Sequence, residues 1–162
     1  MSTGRLEAIC GKDSSGKTAM ALGRALQALT EQKTVIVIQF LKGSEKIGNL
    51  EVLKRREPEL KVFRFEKSDR YFAELSDAEK KDEQINIRNG LNYAKKVLTT
   101  EECDLLVLDE ALGLVDQNIV TEEELEGLLK CRDQVQVIVT GKVLPEGIRR
   151  IADKVEEVDC CK

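Results

Sequence analysis

The stretch Gly11-Lys12-Asp13-Ser14-Ser15-Gly16-Lys17-Thr18 constrains this chain more than any other, because it satisfies the phosphate-binding pattern G-x-x-x-x-G-K-S/T at every specified position. Arg5 to Cys10 before it reads as a short buried strand, and Thr18 to Leu29 after it reads as a helix. Strand, loop and helix in that order are the context the pattern requires. Gly11 and Gly16 carry no Cβ, so the backbone can turn sharply and bring its N–H groups against phosphate oxygens, and the helix start adds its positive dipole end. In such a loop Lys17 places an ammonium between the β- and γ-phosphates, and Thr18 offers a hydroxyl to Mg²⁺. A plain Gly/Ser turn capping a helix is the competing explanation, and the flanking elements weigh against it.

The other strands follow from apolar runs. Thr34 to Leu41 (TVIVIQFL) is a nearly unbroken β-branched run, as expected of a strand covered on both faces. Polar groups follow at once, and ligands of open α/β sheets bind beyond the carboxyl ends of the strands, so Gln39 and Lys42 are site candidates. An ordinary strand exit with a solvated lysine is the alternative. Leu60 to Phe65 alternates as a strand does. Asp104 to Glu110 (DLLVLDE) is an apolar run delivering Asp109 and Glu110 at its carboxyl end, where P-loop NTPases hold Mg²⁺ directly or through water. Val135 to Thr140 forms a further strand, and Val155 to Val158 a final edge strand.

Helices are expected between them. Met20, Leu22, Ala25, Leu26 and Leu29 recur at helical spacing, which predicts the face packed on the sheet. Ile47 to Glu57 reads as a short helix stopped near Pro58, with Lys54, Arg55 and Arg56 on a solvated face. Asp77 to Leu98 is a long charged helix whose apolar positions include Ile85, Ile87, Leu91 and Ala94, and Ser76 with Glu79 predicts a capping box. Thr121 caps a helix ending near Cys131, and Pro145 to Ala152 forms another. The loop Glu66 to Phe72 carries the adjacent aromatics Tyr71 and Phe72, which either line a pocket or anchor the loop in the core. Alternating strands and helices throughout imply an α/β three-layer sandwich of the P-loop NTPase (RecA-like) type, with a mainly parallel sheet and helices on both faces. The 162 residues, 41% hydrophobic, suit one nucleotide-binding domain spanning 1–162.

Composition narrows the chemistry. A formal charge of −4 gives no global pull toward nucleic acid or an anionic membrane. No apolar run is long enough to span a bilayer, and Met1 to Arg5 lacks the apolar core of a secretory signal, so a cytoplasmic location is expected. The five cysteines do not form a secreted disulfide pattern, and reduced thiols are expected at Cys10, Cys103 and Cys131. The adjacent Cys160 and Cys161 leave a redox or metal role open. The chain contains no histidine, which excludes His-based zinc sites, Ser-His-Asp and Cys-His arrangements, and a histidine base.

Several blocks taken together resemble one family, the P-loop type ATP:corrinoid adenosyltransferases. They are the phosphate loop, Val35 to Gly43 (VIVIQFLKG), Leu106 to Glu110 (LVLDE), and Val137 to Gly141 (VIVTG) with Ile151-Ala152-Asp153. The resemblance implies transfer of the 5′-deoxyadenosyl group of ATP to the reduced cobalt of a corrinoid, with release of triphosphate, in cobalamin biosynthesis or salvage. It also implies that Lys17 and Thr18 match the triphosphate and Mg²⁺ ligands, Glu110 the metal-site carboxylate, and Gln39 with Lys42 a segment bordering the site. Relatives suggest a homodimer. The implied chemistry suits a chain without histidine, because reduced cobalt is itself the nucleophile and no protein base is needed. Two other classes fit the nucleotide motifs: a kinase acting on a small metabolite or nucleoside with Asp109 or Glu110 as base or metal ligand, and a slow ATPase acting as a switch.

Overall fold

The computed structural model describes residues 4–43, 52–53, 55–159 and 161. Six strands form one sheet: β1 (Leu6–Gly11), β2 (Val35–Gln39), β3 (Leu60–Arg64), β4 (Leu105–Asp109), β5 (Gln136–Gly141) and β6 (Lys154–Val158). Their order is β3-β2-β4-β5-β1-β6, and each paired strand runs parallel to its neighbour. Every apolar run read as a strand forms one. The helices are α1 (Lys17–Thr30), α2 (Asp77–Thr100), α3 (Leu112–Asp116), α4 (Glu122–Leu129) and α5 (Glu146–Ile151), with a 3₁₀ turn at Phe72–Glu74.

The strands carry apolar residues on both faces, and the period of two sorts them into two cores. Ile9, Val35, Val37, Leu105, Val107 and Ile138 face α1. Leu6, Ala8, Ile36, Ile38, Leu106, Leu108, Val137 and Val139 face the opposite way, toward residues of α2, α4 and α5. The sandwich is therefore three-layered, as the alternating elements imply. The expected capping box of Ser76 with Glu79 exists on α2, Thr121 caps α4 as expected and forms a second box with Glu124, and the two boxes fix where those helices begin.

Two packing expectations need correction. The buried face of α1 is made of Ala21, Ala25 and Ala28, with Met20, Leu22 and Leu29 only partly buried and Leu26 exposed. Small side chains let the helix lie close to the sheet, and the larger leucine is turned outward. On α2, Ile85 is exposed, while Ile87, Gly90, Ala94, Val97 and Leu98 form the packed face. A Cβ at Gly90 would meet Phe40 at 3.0 Å and Phe65 at 3.2 Å, so α2 lies close to the sheet there and a side chain would require the rings to shift by a few tenths of an ångström. The expected helix from Ile47 to Glu57 lies largely outside the described residues. Arg55 and Arg56 are exposed in a turn.

Candidate nucleotide and metal site

The carboxyl ends of β1, β2, β4 and β5 meet on one side of the molecule, and the strand order decides what meets there. Pairing sets Gln39 of β2 level with Asp109 of β4, and Ile9 of β1 level with Thr140 of β5. The loop after β1 turns through Ser14 at φ 60 and Gly16 at φ 96, the left-handed region that glycine enters without a Cβ penalty. Gly16 then caps α1. Gly11 answers to a different constraint, because a Cβ there would collide with the carbonyl oxygen of Val158 on β6.

Lys17 shares the inward face of α1 with Ala21 and Ala25, and its side chain is only 5% exposed. Its ammonium donates to the carbonyls of Gly11 and Lys12, both at 2.9 Å, and lies 3.6 Å from Glu110 Oε1. The exit of β2 delivers a second ammonium. Lys42 Nζ lies 2.8 Å from Asp109 Oδ2 and donates to Thr18 Oγ1 at 3.0 Å. Lys42 is 4% exposed and Asp109 1%, so this ion pair is withdrawn from water. Thr18 donates to Asp109 Oδ1 at 2.9 Å, and Thr140 donates to the same oxygen at 2.8 Å. Each oxygen of the buried carboxylate thus has a donor, which is what a desolvated charge requires.

Glu110 differs from its neighbour. Its backbone takes a φ of 60, and its N–H donates to Thr140 Oγ1 at 2.9 Å. Thr140 therefore holds both acidic residues, one through each side of its hydroxyl. The bend turns the Glu110 side chain toward the cleft, where burial pushes its carboxyl above the usual range, opposed by the Lys17 and Lys42 charges.

A cleft of about 840 Å³ opens over this arrangement, lined by Asp13 to Thr18, Leu41, Lys42, Tyr71, Glu110, Gly113 and residues of α3 with Lys142 at its rim. Of the residues singled out from sequence, Ser14, Ser15, Gly16, Lys17, Thr18, Lys42 and Glu110 meet there, with Asp13 at the rim near Lys142 (3.8 Å). Lys12 contributes its carbonyl to Lys17 while its side chain is exposed. Asp109 lies beneath the cleft floor. Gln39 is buried, accepts a hydrogen bond from Arg64 at 3.3 Å, and stands outside the lining. Of the two aromatics, Phe72 anchors in the core and Tyr71 reaches the cleft, so both explanations of that loop apply, one to each residue.

The donor set suits phosphate and a hard cation. Ser15 Oγ is buried with no partner among the described residues, a hydroxyl turned inward within the loop. A hydroxyl and one cleft-facing carboxylate, with a second carboxylate behind them, form an oxygen-only set of the kind Mg²⁺ accepts when phosphates supply further ligands. Among the described residues no group of three or more Cys, Asp or Glu side chains is placed to hold a metal ion by itself. Thr140 and Lys142 were not singled out as ligands from sequence. Thr140 ends a buried strand with a polar residue, the same signal that marks Asp109, and Lys142 lies two residues beyond it.

The chain matches, over residues 2–162, the family model described as ATP:corrinoid adenosyltransferase BtuR/CobO/CobP. It is 29% identical over 148 residues to the corrinoid adenosyltransferase of Escherichia coli strain K12, covering 88% of this chain and 70% of that protein. Corrinoid adenosyltransferase CobA of Salmonella typhimurium strain LT2 is 30% identical over 148 residues, with 88% of this chain and 70% of that protein covered. The corrinoid adenosyltransferase of Pseudomonas aeruginosa strain PAO1 is 29% identical over 151 residues, 91% of this chain and 71% of that protein. With its full-length family match and the phosphate loop, buried carboxylate and VIVTG strand in one site, the chain belongs to the ATP:corrinoid adenosyltransferases.

Proposed function

We propose that this chain transfers the 5′-deoxyadenosyl group of ATP to the reduced cobalt of a corrinoid substrate and releases triphosphate. The observation that carries the reading is the convergence of two buried ammonium groups, Lys17 and Lys42, on the Thr18, Asp109 and Glu110 end of one cleft. In the reaction the cobalt electron pair forms a bond to C5′ while the C5′–O bond breaks and its electrons leave on the triphosphate. No proton changes hands at carbon, so a site without histidine is chemically sufficient.

The protein's part is then to align C5′ and to stabilise the charge of the leaving group. Lys17, the loop N–H groups and the start of α1 provide fixed positive potential where the triphosphate lies. Lys17 would release the Gly11 and Lys12 carbonyls to reach phosphate. Mg²⁺ would be held by Thr18 and Glu110, with Asp109 orienting Thr18 from behind, and would supply further charge neutralisation. The remaining cleft volume, bounded by Tyr71 and Leu41, takes the nucleoside and one edge of the corrinoid.

We read residues 1–162 as one nucleotide-binding domain built on the single sheet. A homodimer follows from the family resemblance and is tested by light scattering. A cytoplasmic location is proposed on cysteine usage, and no helix among the described residues is long and apolar enough to cross a membrane. The central test is incubation with ATP, Mg²⁺ and a chemically reduced corrinoid, followed by chromatography of the phosphate products and an absorbance measurement of the cobalt–carbon bond. Triphosphate formed only when the corrinoid is present supports the reading. ADP without alkylated corrinoid refutes it in favour of phosphoryl transfer.

A further inference from the structure

The β2–β3 ladder ends at the pair Gln39 and Arg64. Beyond it Phe40 donates its N–H to the Asp109 carbonyl at 2.9 Å, which leaves the Leu41 N–H pointing away from β4. A side chain takes over the role of the missing strand. Glu66, two residues past the end of β3, accepts the Leu41 N–H on Oε1 at 2.8 Å. The segment it holds enters the left-handed region twice, at Leu41 with φ 55, where it is unfavourable, and at Gly43 with φ 52, where glycine carries no penalty. For leucine that conformation persists only where surrounding contacts impose it.

What the segment delivers is part of the nucleotide site. Leu41 packs over Gly113, where a Cβ would meet its Cδ1 at 2.9 Å, and it forms one wall of the cleft. The next residue is Lys42, whose ammonium bridges Thr18 and Asp109. We propose that Glu66 is a positioning residue of the nucleotide site: by holding the Leu41 amide it sets the exit of β2 so that Lys42 reaches Thr18 and Asp109.

This role rests on the functional reading above and adds a property to it. Burial pushes the Glu66 carboxyl up to about 7, opposed by the Leu41 N–H, with Glu83 raising it and Arg64 lowering it. Those are the charged and donor groups that face it among the described residues: Leu41 beyond β2, Arg64 on β3 and Glu83 on α2. Glu83 is itself buried and engaged with the amides of Lys67 and Ser68 and with Asn86. Glu66 therefore gains its charge near neutral pH, and the ionised form is the better acceptor for Leu41. The site becomes better ordered as pH rises through that range, while the fold bears an additional partly buried charge.

The two effects have opposite signs, and that separates a positioning role from a merely structural one. The experiment is calorimetric titration of MgATP into wild type, Glu66→Gln and Glu66→Leu from about pH 6 to about pH 8, with a thermal melt of each protein. Glu66→Gln keeps an acceptor but not the titration. Relative to wild type its MgATP affinity is expected to fall roughly three- to tenfold at the upper pH and to converge at the lower, while its melting temperature rises at the upper pH. Glu66→Leu, where folded, is expected to lose affinity across the whole range. A Glu66→Gln protein with the wild-type pH profile, or a folded Glu66→Leu protein with wild-type affinity, would overturn the role. Failure of wild type to bind MgATP at any pH would overturn the functional reading, and this role with it.

Discussion

Replacing Lys42 by methionine is the most informative single perturbation of the site. The side chain keeps its length and loses its charge, so the cavity is nearly conserved while Asp109, 1% exposed, loses the cation 2.8 Å away. Breaking a buried ion pair from one side costs about 3–5 kcal/mol, because the other charge stays desolvated. Asp109 retains the hydroxyls of Thr18 and Thr140, so the lower end, about 3 kcal/mol, is expected. For a chain of this size that corresponds to a fall in Tm of roughly 6–12 °C. The double variant Lys42→Met with Asp109→Asn removes both charges and should recover most of the loss, giving a coupling of at least about 2 kcal/mol. MgATP should widen the gap between wild type and Lys42→Met, since the variant binds the nucleotide more weakly and a ligand stabilises a fold in proportion to its affinity. The assay is urea denaturation of the four proteins of the cycle, each with and without MgATP. A single-variant loss under about 1 kcal/mol, or costs that add within about 0.5 kcal/mol, would refute the argument.

Lys17→Ala removes a charge-assisted contact to phosphate and should weaken MgATP binding roughly ten- to a hundredfold in a folded protein, read by calorimetry. Glu110→Gln should raise the Mg²⁺ concentration needed for half-maximal triphosphate release more than it changes Tm; an unchanged Mg²⁺ titration would make Glu110 a simple strand cap. Thr140→Val leaves the Glu110 N–H without its acceptor and Asp109 with one donor fewer, an expected loss of about 1–3 kcal/mol in urea denaturation. Glu66 has a folded-state pKa raised from 4.5 to about 7, so the fold binds its proton more tightly than the unfolded chain does. Wild-type stability relative to Glu66→Gln should therefore decline as pH rises from about 4.5 to about 7, by up to ~3 kcal/mol, as followed by denaturation at stepped pH.

The parts of this molecule legible in the sequence are those whose signal is local. An unbroken β-branched run such as VIVIQ can hardly be buried except in a parallel sheet, and the loop glycines with Lys17 and Thr18 declare their own geometry. Ser76 with Glu79 marks a helix start because the two groups bond each other across a single turn. Thr140 and Glu66 act instead through partners 25 to 31 positions away, and Thr18 meets Asp109 across 91. Such contacts leave no periodicity. Helix α3 went unseen because Ala111 to Val115 continues an apolar run with no capping residue, and only the turn at Glu110 separates it from β4. The alanine face of α1 was obscured because hydrophobicity ranks leucine above alanine, whereas close helix-to-sheet packing selects for size.

The contact between Gly11 and Val158 changes how mutations in the phosphate loop are to be interpreted. Alanine at Gly11 would drive a methyl group into a backbone carbonyl of β6, so its first consequence is the detachment of an edge strand rather than a change in phosphate affinity. At Gly16 an added methyl meets nothing within 4 Å, and the cost comes from holding φ at 96. Two glycines of one motif therefore report on different things, the first on how the sheet closes against its last strand and the second on the shape of the loop. Weak nucleotide binding in a Gly11 variant would say little about phosphate recognition until the integrity of β6 had been established by hydrogen exchange at Lys154 to Val158.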